Sequence, residues 1–132
     1  MPFLVIKPES SSQVAGGSGP CRFDYWLGDD LVGSPPVFLV TARLKDALLA
    51  LAPATPFLFE PALTEASAFF QRSNPGRVLP DFWRWKIEGR PGEDDAGLCG
   101  HDLVVSDRVF AALLACRLEQ AEILQFRPAR RA

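Results

Sequence analysis

Hydrophobic and polar positions fall into one pattern that the chain contains twice. In the clearer copy, the apolar run Leu103, Val104, Val105 leads into Ser106, Asp107 and Arg108. Apolar positions then recur at Val109, Ala112, Leu113 and Cys116, and the copy closes through Ile123, Leu124, Gln125, Phe126, Arg127 and Pro128. In the earlier copy, Phe38, Leu39 and Val40 lead into Thr41 and Arg43. Leu44, Ala47, Leu48 and Leu51 follow, and Phe57, Leu58, Phe59, Glu60 and Pro61 close it. Val40 aligns with Val105, Arg43 with Arg108, and Ala47-Leu48-Leu49-Ala50 with Ala112-Leu113-Leu114-Ala115. Phe59 and Pro61 align with Phe126 and Pro128 on the same Phe-x-Pro-Ala spacing.

Each part of the pattern has a physical meaning. A short apolar run predicts a buried strand. Thr41 or Ser106 stands where a hydroxyl can accept from the unpaired amides of a helix's first turn. Apolar residues at helical spacing give each helix one greasy stripe, with Leu48 and Leu113 at its centre. Asp107 adds charge suited to the positive end of a helix dipole. The closing prolines cannot donate to a sheet. Each copy therefore predicts strand, helix, strand, with a bare apolar face that the other copy can cover. The expected fold is α+β: one domain over residues 1–132, a mixed or antiparallel sheet, and two packed helices from a unit repeated at 38–62 and 103–129.

The rest of the chain is less regular. Phe3 to Ile6 reads as a strand stopped by Pro8. Residues 9–20, with Gly16-Gly17-Ser18-Gly19, predict a mobile loop. No Lys-Ser/Thr pair follows those glycines, so a phosphate loop is not favoured. Residues 23–27 suggest a second strand, followed by a turn at Gly28-Asp29-Asp30. Residues 63–72 suggest a short helix capped by Thr64, with Ala66, Phe69 and Phe70 inward. Ser73-Asn74-Pro75-Gly76 has turn composition. Residues 80–88 alternate, with Trp83, Trp85 and Ile87 on one face and Arg84, Lys86 and Glu88 on the other. Residues 89–100 predict an acidic loop around Glu93-Asp94-Asp95, and the tail from Arg127 is basic.

Composition narrows the function classes. The chain has 132 residues, 48% of them hydrophobic, and a net charge of −2. That suits a single soluble core and argues against a basic nucleic-acid face. No apolar run reaches the roughly 20 residues of a membrane span, and the first eight residues lack the parts of a signal peptide. Cys21, Cys99 and Cys116 are odd in number and scattered, which predicts neither disulfides nor zinc and suits a reducing cytoplasm.

Candidate chemistry is sparse. His101 is the sole histidine and stands two residues after Cys99, a pairing that could supply nucleophile and base. No surrounding motif supports it, and Cys99 reads more simply as a small apolar filler. No cofactor or metal ligand set is expected. Asp29, Asp30, Glu93, Asp94 and Asp95 read as wet surface carboxylates able to meet a basic partner. Trp26 and Trp83 are the candidate aromatic anchors. Arg43 and Arg108, at equivalent places, predict a shared structural task such as pairing with a carboxylate.

The stretch from Asp102 to Phe110, the helix after it, and Ile123 to Pro128 together resemble the C-terminal signature of a bacterial family. That family is the eleventh group of immunity proteins of polymorphic toxin systems, formerly a domain of unknown function. Pro80-Asp81-Phe82-Trp83 is similar to an upstream piece of it. The resemblance covers the last third of the chain and, more loosely, the middle. It implies no catalytic residues. It implies a protein that binds and neutralises a cognate secreted antibacterial toxin in the producing cell. An adaptor or chaperone for a secreted effector shares this profile, and a small enzyme would need a cleft around Cys99 and His101.

Overall fold

Both copies of the pattern fold as strand, helix, strand. In the first, β5 (Leu39–Thr41) runs into α1 (Ala42–Leu49), and β6 (Leu58–Pro61) follows. In the second, β10 (Asp102–Ser106) runs into α3 (Asp107–Ala115), and β11 (Glu122–Gln125) follows. The hydroxyls of Thr41 and Ser106 cap the helices, accepting from the amides of Leu44 and Val109 at 3.4 Å in each case. The computed structural model describes residues 3–8, 12–14, 21–33, 37–54 and 56–127.

The likeness extends beyond the pattern in the sequence. β4 (Leu31–Val32) hairpins onto β5, and β9 (Ala96–Cys99) hairpins onto β10 in the same register: Leu31 opposes Val40 as Ala96 opposes Val105. The remaining strand of each sheet comes from the other end of the chain. β8 (Phe82–Lys86) lies between β5 and β6, while β1 (Phe3–Lys7) lies between β10 and β11. The resulting four-stranded antiparallel sheets run β4-β5-β8-β6 and β9-β10-β1-β11. Phe82 opposes Thr41 as Phe3 opposes Ser106. In sequence, Phe3, Lys7 and Glu9 recur as Phe82, Lys86 and Glu88 at the same spacing.

This register corrects one alignment. Phe59 opposes Trp85, and its counterpart across β1 is Ile123, opposite Ile6. Pro61 therefore corresponds to Gln125, and Phe126 lies one position beyond its strand. Pro128 and the rest of the tail lie outside the described residues.

The main core is drawn evenly from both halves. Its buried members are Leu31, Phe38, Val40, Leu44, Leu48 and Ile6, with their counterparts Ala96, Leu103, Val105, Val109, Leu113 and Trp85. Leu48 and Leu113 are 0% and 1% exposed, so the stripes of α1 and α3 do face this core.

Among the described residues, a second layer covers the outer face of the first sheet. It contains β2 (Ser12–Val14), β3 (Cys21–Phe23) and β7 (Thr64–Ala66), with β3 antiparallel to β2 and parallel to β7. The short helix α2 (Ala68–Ser73) completes it. Phe23, Val32, Leu39, Phe70 and Phe82 pack between the layers. Here several sequence expectations fail. Part of the expected 9–20 loop is β2, and Gly16 to Gly19 lie outside the described residues. Beyond Phe23 the chain leaves the strand, because Trp26 turns inward, donating Nε1 to the Asp29 carbonyl at 2.9 Å. Residues 64–66 are claimed as a strand by β3, so α2 starts later and is capped by Ser67, whose hydroxyl accepts from the Phe70 amide at 3.1 Å. Phe70 is buried but Phe69 is exposed. On β8 the face expected to be solvated carries Phe82, buried beneath this added layer.

Among the described residues, the second sheet has no such layer. Residues 89–91 cross it instead, so closely that a Cβ on Gly97 would lie 2.4 Å from the Pro91 nitrogen. At the equivalent place in the first sheet, Val32 has room to pack. The expected 89–100 loop is accordingly shorter, since β9 occupies its second part.

Candidate protein-binding surface

The carboxylates expected at the surface are mostly engaged inside the fold. Asp30 sits just before β4 and is 5% exposed. Its carboxylate accepts from the Thr41 hydroxyl at 2.6 Å, from the Arg43 guanidinium, and from the Arg117 amide at 2.7 Å. Asp95 sits just before β9 and repeats the arrangement. It accepts from the Ser106 hydroxyl at 2.7 Å and from two nitrogens of Arg108 at 3.0 and 2.8 Å. The backbone repeats it too, with the Asp30 and Asp95 carbonyls accepting from the Thr41 and Ser106 amides at 3.0 and 2.8 Å. An aspartate, a hydroxyl and an arginine thus form one latch per half, tying the hairpin to the first turn of the helix. Arg43 and Arg108 do share a structural task.

Electrostatics follow from these contacts. The Arg108 guanidinium holds the Asp95 carboxyl below its ordinary value, against the opposing effect of burial. The arginines are held above theirs by the same pairings. Asp29 is 0% exposed and binds main chain: its two oxygens accept from the amides of Glu119 and Gln120 at 2.9 and 2.8 Å. A buried carboxylate with such partners is satisfied. Asp94 accepts from the Arg90 amide at 2.7 Å. Glu93 alone of the five is exposed.

The aromatic candidates are half-buried. Trp83 lies under the Lys45 ammonium, 4.2 Å from the ring centre. Trp26 packs edge-on to Phe82 and carries the Arg77 guanidinium 4.9 Å above its ring. Trp26 is therefore a platform for Arg77 rather than a free anchor.

Cys99 and His101 lie at the β9–β10 turn. Cys99 opposes Asp102, so Gly100 and His101 form a two-residue connection, and Gly100 takes φ +63°. That turn needs a residue tolerant of positive φ, which glycine is. Both side chains are exposed at this tip, away from the main core. Burial pushes the thiols of Cys21 and Cys116 upward, which keeps them protonated. No group of three or more metal-ligating side chains converges among the described residues.

Two openings flank the middle of the first sheet. An open cleft of about 380 Å³ runs past Glu60, Arg84, Lys86, Glu88 and Leu98. Its charges partly answer one another, with Lys86 3.9 Å from Glu60. A smaller cavity of about 140 Å³ lies beside Cys21, Leu39, Pro61, Leu63 and Arg84. Trp85 separates Phe57 from Phe59, edge-on to the former and stacked on the latter. Its buried N–H has no hydrogen-bond acceptor.

Large apolar side chains stay exposed on several elements, among them Leu49, Leu114 and Leu124. Among the described residues, Leu63, Phe69 and Val78, at 77%, 56% and 84% exposure, are the three most open large apolar side chains. All belong to the segment that joins the two similar halves. Arg72 in α2 and Arg77 beyond it are exposed in the same segment. Sequence reasoning missed this surface because it placed Phe69 inside a longer helix. The signal was Ser67, a better cap than Thr64 for the apolar pair that follows. No protein-family model, curated protein or solved structure matches the chain.

Proposed function

We propose that the protein is an immunity protein that binds a cognate secreted antibacterial toxin in the cytoplasm of the producing cell and blocks it without chemistry. Two things support this. The Ser106-x-Arg108 helix segment resembles the immunity family. The observation that carries the reading is the exposure of Leu63, Phe69 and Val78, with Arg72 and Arg77, all in the one segment outside the repeated units. Phe69, Arg72 and Arg77 are of the aromatic and arginine types enriched in protein–protein interfaces, and Leu63 and Val78 add exposed apolar area in the same segment. On this reading the arginines Arg72 and Arg77 meet acid on the toxin face around an apolar centre.

The test is co-expression with the toxin encoded beside the gene. Phe69→Asp and Arg72→Glu should abolish protection while leaving the thermal midpoint in place. Cys99→Ala and His101→Ala should protect fully. Loss of protection by either of the latter changes, with the fold intact, would revive an enzyme at the β9–β10 turn.

A further inference from the structure

We infer that the two halves of this chain are partners in a reciprocal strand exchange and stay paired when the covalent link between them is cut. In chain order, β1 precedes β4, β5, α1 and β6, and β8 precedes β9, β10, α3 and β11. The recurrence of Phe3, Lys7 and Glu9 as Phe82, Lys86 and Glu88 marks β1 and β8 as the same strand of two like units. Yet each is built into the other unit's sheet, between its second and last strands. Neither half can close its own sheet without the strand it receives.

Side chains specify the exchange. Arg84 and Val5 hold equivalent places. Arg84 opposes Leu39 and Glu60, whereas Val5 opposes Val104 and Leu124. If each strand returned to its own half, Arg84 would stand between Val104, which is 0% exposed, and Leu124, which is 43% exposed, losing the carboxylate across from it. A cation set against a buried apolar side chain, with no carboxylate across from it, is disfavoured. Val5 would meanwhile face Glu60. The exchanged arrangement avoids both mismatches.

The contacts between halves are those of one core. Six of its twelve buried members precede residue 77 and six follow it. Asp29 and Asp30, in the first half, also bind the main chain of Arg117, Glu119 and Gln120 in the second. The only covalent connection passes through the turn at Pro75 and Gly76, which is exposed.

The experiment uses the full chain with a sequence-specific protease site inserted between Gly76 and Arg77, folded first and cut afterwards. The two fragments should co-elute in native buffer at the size of the uncut chain. After denaturation and dilution they should re-form the pair with a yield that rises with concentration. Val5→Arg should weaken pairing of the cut halves by at least about tenfold, while the uncut chain still folds because the link keeps the halves at high effective concentration. Separate elution of the fragments, a folded monomeric second fragment, or unchanged pairing in the Val5→Arg protein would each overturn the inference.

Discussion

Arg108 grips Asp95 with two nitrogens, at 3.0 Å to one carboxylate oxygen and 2.8 Å to the other. This pairing is the leading reason the Asp95 carboxyl is held below its ordinary value of 3.8. A carboxyl lowered in the folded state stabilises the fold above the unfolded value and loses that contribution as the pH falls through the folded one. Asp95→Asn should therefore cost about 1–3 kcal/mol near neutrality, and the cost should shrink well below the ordinary value. Urea titrations of both proteins at about pH 7 and about pH 3 measure this; an equal gap at the two values would show that the charge is irrelevant.

Asp29 and Glu93 look alike in sequence, each beside further acid. Their environments differ, so their substitutions should too. Asp29→Ala removes the carboxylate that the amides of Glu119 and Gln120 donate to and leaves a hole at a buried position, and should cost about 1–3 kcal/mol. Glu93→Lys, on an exposed side chain, should stay within about 0.5 kcal/mol of the parent. Comparable losses from the two would contradict the clamp assigned to Asp29.

Leu48 and Leu113 occupy equivalent places in one core. Each truncation to alanine should cost about 2–5 kcal/mol, and the pair should depart from additivity, because both cavities open into the same cluster. Chemical denaturation of the two single variants and the double variant reads this directly.

Gly97 lies under main chain. Gly97→Val should force residues 89–91 off the second sheet and cost about 1–3 kcal/mol or more. The counterpart change Val32→Gly removes a buried side chain and leaves main chain where it is. Amide exchange should show new opening at 89–92 for the first variant only.

The repeated strand–helix–strand units were legible because their signals are local: apolar runs, a hydroxyl cap and a helical stripe. Leu44 and Val109 declare their burial by spacing alone. The latches were half legible. Arg43 and Arg108 stood out by equivalence, but their partners did not, because Asp30 and Asp95 lie a hairpin away in sequence. Asp29-Asp30 and Asp94-Asp95 are themselves equivalent, and that recurrence was the available clue. The added layer was illegible for a different reason. Residues 64–66 join β3 through contacts distant in sequence, which override the local preference for helix. The placement of β1 and β8 likewise depends on pairing partners far along the chain, such as Leu4 with Gln125.

That placement sets the order in which the molecule can be made. As the chain leaves the ribosome, β1 emerges early but has no sheet to enter until β10 and β11 follow. The first sheet must likewise wait for β8. Local helices can form at once, yet the common core closes only when distant segments meet, a topology that folds slowly for its size. Interrupted translation products ending before β10 would carry a homeless strand and an open sheet, the kind of exposed edge that invites aggregation. Under the proposed immunity role, a partly made copy would give no protection, and each copy would act only once its synthesis is complete.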